Sequence, residues 1–329
     1  MDTPSADASL TGADFGSIVG FVVSEALAAG LAADGIREPS EVQRAAIPTL
    51  LAGRSLIIES ATGTGKTLAY LLPVLQRLAT EEGLRAVVFT PATELAMQVL
   101  SVAEKYKASE LNCGALVATG SLKYQKSRVT KSTRLMVGTP GRILEQYAAR
   151  KMKRVGIVVL DEPDAILRGK DGDYLREILS RPEPKVQLIV VGATLGPAAE
   201  ALCREFMGDD APRTRTSDAP LLTHIAHSLE VVDNKADAFL ARYLKSHKCK
   251  RALVFVNQPR FLGHLYRVLG KFGFSPVSLS PEASKQQRRL AIETFRKQEN
   301  SVLIATDASA LGLDIPDLEW VLHFELAPS

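Results

Sequence analysis

The sequence is poor in cysteine and has no long apolar run, and both scarcities exclude classes of protein. Its 329 residues include three cysteines and five histidines, and none of them stand at paired metal-ligand spacing. A sparse, odd number of thiols is typical of a reducing compartment and excludes a disulfide-stapled secreted scaffold. No stretch approaches the roughly 18 apolar residues that a membrane-spanning helix requires. We therefore predict no zinc site, no disulfide framework and no membrane partner.

The sequence also lacks an excess of charge of either sign. Its 40 Lys and Arg residues face 37 Asp and Glu residues, which leaves a net charge of +3. This balance permits a nucleic-acid partner without requiring one, so any basic surface must be local. The N-terminal segment MDTPSADASLTGAD has no Lys or Arg and resembles neither a secretory signal nor a transit peptide. We expect an intracellular protein of the cytoplasm or nucleus, or of an organelle if a presequence was removed.

Short apolar runs alternate with helical patterns along most of the chain. Nearly continuous apolar runs are typical of strands that are covered on both faces of a parallel sheet. A polar stretch rich in Pro and Asp, Gly208–Pro220, separates two such series. The predicted strands are Ser55–Glu59, Ala86–Thr90, Arg134–Gly138, Gly156–Asp161 and Val186–Gly192 in the first series, and Ala252–Val256, Ser301–Thr306 and Trp320–Phe324 in the second. We predict an α/β protein with two parallel-sheet lobes joined by a linker.

A glycine-rich segment, Ser60–Thr67 (SATGTGKT), follows a predicted strand and opens a predicted helix. Glycines let the backbone turn so that its N–H groups and the helix N-terminus surround phosphate oxygens. In this pattern Lys66 reaches the β- and γ-phosphates and the Thr67 hydroxyl coordinates Mg²⁺. A strand–helix turn that binds nothing is the alternative, since the first position is Ser60 and not Gly. The predicted phosphate-binding residues are Ser60, Ala61, Thr62, Gly63, Thr64, Gly65, Lys66 and Thr67.

An acidic segment, Asp161-Glu162-Pro163-Asp164, ends another predicted strand. The carboxyl ends of parallel strands form the edge at which open α/β sheets bind ligands. Asp161 is suited to hold Mg²⁺, and Glu162 is suited to orient or deprotonate an attacking water. Alone, such a turn is more often a helix N-cap. Together with the phosphate-binding segment, it predicts a catalytic pair.

With these motifs in order, the sequence resembles the DEAD-box family of ATP-dependent RNA helicases from about Phe15 to its last residue. The resemblance implies two RecA-like lobes of the P-loop NTPase type, ATP and Mg²⁺ as cofactors, and RNA as partner. Gly35–Gln43 (GIREPSEVQ) is similar to the adenine-reading segment of the family. There Gln43 pairs with adenine, Arg37 contributes to the nucleotide site, and Phe15 or Phe21 is a candidate to stack on the base. The alternative for Gln43 is an ordinary exposed helical residue.

Other segments resemble the motifs through which the family contacts RNA and couples that contact to hydrolysis. In such motifs, loop N–H groups, hydroxyls and Arg contact the phosphates of RNA, which positions the RNA without reading its bases. The resemblance implies RNA contacts at Pro91, Glu94, Thr139, Pro140, Gly141, Arg142 and Thr306, a ribose contact at Asp314, and a coupling role for Asp164, Gly192, Ala193 and Thr194.

Several positions depart from the family pattern. Thr93 and Leu311 stand where the family has Arg, Pro163 replaces Ala, and Gly192 replaces Ser. The chain also ends before the family's His-Arg-x-Gly-Arg motif, which supplies an arginine finger. Such a finger accelerates related phosphoryl transfers by about 10³–10⁵. We therefore expect the second lobe to be incomplete, to be finished by a longer chain or by a partner protein, and to bind ATP without fast hydrolysis.

These patterns predict how the chain is divided and what it does. We predict an N-terminal segment and adenine-site flank at 1–34, an ATP-binding lobe at 35–210, a linker at 211–222 and a second lobe at 223–329. The predicted function is an ATP-dependent RNA helicase that remodels RNA or ribonucleoprotein by closing its lobes. The alternatives are a degenerate helicase that acts as a non-hydrolysing assembly factor or scaffold, and a P-loop ATPase with no RNA role.

Overall fold

The protein divides into two compact units, which are described separately. A computed structural model describes residues 13–116, 132–143, 155–167, 171–180, 186–216, 225–232, 235–310, 315 and 318–326. The first unit is Met1–His224 and the second is Ile225–Ser329.

The first unit alternates strands and helices. Its helices are α1 (Ala13–Gly16), α2 (Glu25–Ala33), α3 (Glu41–Leu51), α4 (Lys66–Thr80), α5 (Thr93–Tyr106), α6 (Pro163–Ile166), α7 (Asp171–Leu179) and α8 (Pro197–Met207). Its strands are β1 (Leu56–Glu59), β2 (Arg85–Phe89), β3 (Cys113–Leu116), β4 (Leu135–Gly138), β5 (Val155–Asp161), β6 (Gln187–Gly192) and β7 (Arg213–Arg215).

The seven strands form one parallel sheet in the order β3-β4-β2-β5-β6-β1-β7. A separate apolar core covers each face, because alternate residues of a strand point to opposite faces. Ile58 of β1 packs into one core and Ile57 into the other. The continuous apolar runs of the sequence are therefore strands buried on both faces, as predicted.

The helix that follows β1 is buried on almost every side. All residues of α4 from Leu68 to Leu75 are buried, because the helix packs between the sheet and α3. A helix that is apolar around its circumference belongs in a core. The amino end of α4 is therefore held firmly at the carboxyl edge of the sheet.

The second unit contains a smaller parallel sheet. Its helices are α9 (Ala236–Ser246), α10 (Arg260–Lys271), α11 (Lys285–Lys297) and α12 (Asp307–Ala310), and its strands are β8 (Arg251–Phe255), β9 (Ser275–Leu279), β10 (Ser301–Ala305) and β11 (Trp320–His323). The strand order is β11-β8-β10-β9, and every pairing is parallel. One apolar core lies on each face of this sheet too.

The two-sheet α/β prediction is confirmed, and the structure adds three strands that the sequence did not reveal: β3, β7 and β9. Strand β7 overlaps the predicted linker at 211–222, because residues 213–215 pair with β1 and extend the first sheet. Residues 217–222 of that linker lie outside the described residues. Strand β11 pairs with β8 and is an edge strand of the described sheet. The incompleteness of this lobe stays a prediction.

Candidate functional site

The phosphate-binding segment lies at the carboxyl edge of the first sheet, where β1, β5 and β6 end level with one another. Glu59 pairs with Gly192, and Asp161 pairs with Val191. The Ser60 N–H donates to Gly192 O at 3.1 Å, which continues the ladder into the loop. The loop, the acidic segment and the Gly192–Thr194 segment therefore meet at one edge.

Two glycines give this loop its shape. Gly63 and Gly65 have φ values of +80° and +89°, in the left-handed region that other residues rarely adopt. A Cβ at Gly65 would lie 2.5 Å from Gln43 Nε2, whereas a Cβ at Gly63 would meet no atom within 4 Å. The loop is therefore packed closely at Gly65 and open to solvent at Gly63.

Lys66 opens α4 and rests on the loop itself. Its Nζ donates to Ser60 O at 2.7 Å and is 3.4 Å from Ala61 O. Burial lowers the pKa of Lys66, while the charges of Glu162 and Asp161 act in the opposite direction. The ammonium thus faces the acidic pair and is bonded to carbonyl oxygens, which phosphate oxygens can replace.

A tyrosine of α4 is bonded to one of the two predicted metal ligands. The Tyr70 hydroxyl, on a fully buried side chain, donates to Asp161 Oδ2 at 2.9 Å. Burial raises the pKa of Asp161 to about 6, and the bond from Tyr70 opposes this rise. Tyr70 was missed in the sequence, where the only signal is one hydroxyl within an apolar run.

Glu162 occupies a strained position directly after β5. Its φ and ψ of 59° and 62° place a residue with a side chain in the left-handed region. Its N–H donates to Val191 O at 2.9 Å, and Pro163 follows as the first residue of α6. Such strain costs on the order of 1–3 kcal/mol and persists where the surroundings impose it, often at functional sites. Here it turns the chain sharply, directly beyond Asp161.

The predicted coupling residues lie beside the acidic segment. The Asp164 carboxylate accepts the Gly196 N–H at 3.0 and 2.9 Å, at the amino end of α8. A Cβ at Gly192 would lie 3.1 Å from Thr194 O and 3.6 Å from Pro163 Cδ. The two departures from the family pattern, Pro163 and Gly192, are therefore neighbours, and the tightest contact of an added Cβ at 192 would be with the Thr194 carbonyl oxygen.

The predicted adenine reader is bound to the phosphate loop. Gln43 Oε1 accepts the Ser40 N–H at 2.9 Å, and Gln43 Nε2 donates to Gly65 O at 3.2 Å. Gln43 is buried, so the alternative of an exposed helical residue is wrong. Arg37, six residues earlier, is exposed. Their adenine contacts stay predictions.

The rings of the two candidate base-stacking aromatics are buried. Phe15 and Phe21 are 0% and 6% exposed, and their ring centroids lie 6.2 Å apart within the first core. A ring that stacks on a base must offer a face to it. The structure therefore corrects this expectation, because both rings are used to pack α1 and the following turn onto the core.

The predicted RNA-contacting residues of the first unit lie at two neighbouring strand ends. The Thr90 N–H donates to Gly138 O at 2.9 Å, which places the Pro91–Glu94 and Thr139–Arg142 segments side by side. Pro140 is buried, whereas Pro91, Glu94, Thr139, Gly141 and Arg142 are half-buried. The structure brings these residues together, and their contact with RNA stays a prediction.

Of the predicted site residues in the second unit, Thr306 is described by the structure. Thr306 is 6% exposed, and its hydroxyl donates to Ser309 Oγ at 3.0 Å. Its side chain is thus turned inward at the end of β10, and an RNA contact there stays a prediction. Asp314 and Leu311 lie outside the described residues.

The residues present fit a nucleoside triphosphate with Mg²⁺. Among the described residues, the buried Ser40 hydroxyl has no hydrogen-bond partner, and it lies 3.4 Å from where a Cβ at Gly65 would stand. No cluster of three or more His, Cys, Asp or Glu that could hold a metal occurs in the described parts of the chain. Mg²⁺ is commonly held by one or two protein groups together with substrate phosphates and waters, and the Thr67 hydroxyl and the Asp161 carboxylate are oxygen ligands of that kind.

No helix in the described parts of the chain is long and apolar enough to cross a membrane.

The three cysteines are free thiols: Cys203 and Cys249 are buried and Cys113 is half-buried. Burial raises the pKa of Cys203 and of Cys249 to about 11. None of the three lies in the phosphate loop or the acidic segment.

Comparison with known proteins identifies the family. Residues 40–202 match the family of DEAD/DEAH box helicases, and residues 235–329 match the helicase conserved C-terminal domain. The DEAD-box ATP-dependent RNA helicase CshC of Bacillus cereus is 34% identical over 296 residues, which cover 89% of this chain and 76% of CshC. The probable ATP-dependent RNA helicase YfmL of Bacillus subtilis is 34% identical over 302 residues, covering 89% and 79%.

A solved structure shows the same fold. Yeast Dbp5, bound to RNA and ADP with beryllium fluoride, has a TM-score of 0.78 and 27% identity, covering 93% of this chain and 79% of Dbp5. The two parallel sheets are thus the RecA-like lobes that the sequence predicted. With both family domains matched in order, the chain belongs to the DEAD-box family of RNA helicases.

Proposed function

We propose that this protein is an RNA-stimulated ATPase that remodels RNA or ribonucleoprotein. The observation that carries the proposal is the convergence of Lys66, Asp161 and Glu162 at one edge of the first sheet. Tyr70, on the same helix as Lys66, donates to Asp161 at 2.9 Å. The Glu162 N–H bonds Val191 O, directly before Gly192, whose carbonyl accepts the Ser60 N–H, so the three residues lie at the same strand ends. A cation beside an acidic pair at the mouth of a glycine loop is the arrangement that phosphoryl transfer requires.

Each residue has a role that follows from its position. Lys66 exchanges its carbonyl partners for the β- and γ-phosphate oxygens of ATP. The Thr67 hydroxyl and the Asp161 carboxylate would hold Mg²⁺, which would neutralise phosphate charge. Tyr70 holds Asp161 in place through its hydrogen bond. Glu162 orients the attacking water and accepts its proton.

RNA binding is proposed for the paired segments at the ends of β2 and β4. Their loop N–H groups, the Thr139 hydroxyl and Arg142 are suited to phosphates rather than to base edges. The RNA-bound state of Dbp5 and the names of the bacterial relatives support this partner. A protein that completes the second lobe, a nucleotide contact at Asp314 and an intracellular location stay predictions.

A non-hydrolysing assembly factor is the second candidate. It is favoured by Thr93, which replaces an arginine of the family, and by Gly192, which replaces a serine. The Asp164 carboxylate accepts the Gly196 backbone N–H. If the coupling is lost with these side chains, ATP and RNA bind but turnover stays slow.

ATPase assays with and without RNA test the proposal. We expect RNA to stimulate hydrolysis by the wild-type protein. Glu162→Gln should lower turnover by about 10²–10⁴, the usual contribution of a general base, while ATP binding is retained. Lys66→Ala should abolish binding of a fluorescent ATP analogue, and Lys271→Ala, an exposed lysine of α10, serves as the control.

The outcomes separate the candidates. ATP binding that depends on Lys66 but without RNA-stimulated turnover would identify the assembly factor. ATP binding that is indifferent to Lys66→Ala would show that the phosphate site is wrongly assigned.

A further inference from the structure

The last strand of the first unit lies beside the phosphate loop. Strand β7 pairs in parallel with β1, so that Arg215 lies opposite Glu59. The Thr216 N–H extends this ladder by donating to Glu59 O at 3.1 Å. Thr216 therefore stands next to Ser60, the first residue of the loop, although 156 positions separate them in the sequence.

Three hydroxyls form a series of hydrogen bonds that runs from this strand into the loop, each donating to the next. Thr216 Oγ1 is 2.6 Å from Ser60 Oγ, Ser60 Oγ donates to Thr64 Oγ1 at 2.7 Å, and Thr64 Oγ1 donates to Ala61 O at 2.8 Å. Each hydroxyl has one proton to give. Since the protons of Ser60 and Thr64 are already committed, Thr216 must be the donor to Ser60.

This series of hydrogen bonds ends on the loop backbone to which the Lys66 ammonium is bonded. Lys66 Nζ is bonded to Ser60 O and Ala61 O, and the hydroxyl chain fixes the Ser60 side chain and Ala61 O. Ser60 and Thr216 are 2% and 6% exposed, so water cannot readily replace a lost partner. The position of the Lys66 ammonium before phosphate arrives thus depends on this chain.

An ion cluster holds β7 in register for this contact. The Glu59 side chain is 8% exposed, and its Oε2 accepts Arg213 Nη1 at 2.7 Å and Arg215 Nη2 at 2.9 Å. Arg213 is also paired with Glu200 of α8 at 2.7 Å. A buried carboxylate with two arginine partners fixes β7 firmly, because removing either partner would leave its charge less compensated.

We propose that Thr216 is a positioning residue for ATP, acting through Ser60 and Thr64 on the phosphate loop and on Lys66. Its hydroxyl is part of the nucleotide site although the residue lies beyond the last strand of the first sheet. The inference rests on the proposed ATP site and adds a residue to it. It also explains why a serine stands at position 60. The Ser60 hydroxyl accepts a hydrogen bond from Thr216 and donates one to Thr64.

Replacing Thr216 by valine tests the proposal, because valine keeps the shape and removes the hydroxyl. We expect Thr216→Val to raise the dissociation constant of a fluorescent ATP analogue by up to about tenfold, the scale of one buried hydrogen bond, because the looser loop must be ordered when ATP binds. Thr216→Ser should restore it to about the wild-type value, since serine supplies the same donor. Thr133→Val, a buried threonine at the amino end of β4, is the matched control and should leave the dissociation constant unchanged.

A double-mutant cycle gives a second measurement and does not depend on Thr216→Val alone. Ser60→Ala breaks the chain at its centre, so adding Thr216→Val to it should cost little further affinity. Thermal unfolding of all variants shows which are folded. Additive losses, an unchanged constant for Thr216→Val, or no rescue by Thr216→Ser would each overturn the proposal.

The test also distinguishes this inference from the proposed function. If Lys66→Ala abolishes binding while Thr216→Val and Ser60→Ala do not alter it, the ATP site stands and the positioning role fails. If the wild-type protein does not bind ATP, both fail together.

Discussion

At the scale of single residues, Thr93 is where one added charge should change RNA binding. It is half-buried in the first turn of α5, beside the Thr139–Arg142 segment. Thr93→Arg would neutralise one further phosphate and release its counterion. We expect the slope of log K against log salt for single-stranded RNA to steepen by about 0.7, as measured by fluorescence anisotropy titrations.

The control for this experiment is the same substitution at the other end of a helix. Thr80→Arg adds an arginine to the exposed last residue of α4, away from the carboxyl edge of the sheet. It should leave the salt slope unchanged. Equal slopes for the wild-type protein and Thr93→Arg would mean that this side chain does not face RNA.

Residues of the site could be predicted where a short pattern carries their chemistry. Lys66, Asp161 and Glu162 can be proposed from the sequence because glycine spacing and strand ends are local signals. Tyr70 and Thr216 were not found, because their importance comes from partners 91 and 156 positions away. A hydroxyl becomes informative only when the fold shows what it bonds.

At the scale of elements, the turn between β1 and α4 should be sensitive to added methyl groups. Gly65→Ala places a Cβ in the left-handed region and 2.5 Å from Gln43 Nε2, so the Gln43 side chain or the loop must shift. Gly83→Ala, between α4 and β2, has a φ of +75° and open space. We expect a loss of about 1 kcal/mol of unfolding free energy for Gly83→Ala and at least about twice that for Gly65→Ala.

Urea denaturation measures both losses, and nucleotide titration separates their effects on function. Gly65→Ala should also weaken ATP binding, whereas Gly83→Ala should not, because it lies outside the loop. Similar stability for the two variants would mean that Gln43 can move away at no cost, and that the close approach to Gly65 is unimportant.

Most strands that are apolar runs were predictable from the sequence, although the short strand β3 was missed. Strands β1, β2, β4, β5 and β6 are buried runs and were located to within about a residue. Strand β7 reads Arg-Thr-Arg and β9 contains Pro276, so neither shows an apolar run. Both are edge strands of their sheets, where polar residues and proline are tolerated, and only the pairing identifies them.

At the scale of the whole molecule, two units with separate cores should respond differently to nucleotide. Every described residue proposed to hold ATP belongs to the first unit. When the free concentration of ATP·Mg²⁺ is 100 times its dissociation constant, binding should add about 2.7 kcal/mol to the unfolding free energy of that unit. Without RNA, we expect slower amide exchange in β1, β5 and β6 and little change in β8 and β10, as measured by hydrogen–deuterium exchange.

Lys66→Ala provides the control for this measurement, since it should remove the added protection without changing the exchange of the free protein. Equal added protection in both units would contradict the expectation. It would show that ATP alone engages the second sheet.

The ion cluster at Glu59 also determines where the chain can be cut. A fragment that stopped after α8 would keep six strands and the whole phosphate loop, and would look like a complete ATP-binding domain on paper. It would leave the buried Glu59 carboxylate without Arg213 and Arg215, and Ser60 without Thr216. Anyone who wishes to express the first lobe alone should therefore carry it through residue 216, nine residues beyond the end of its last helix.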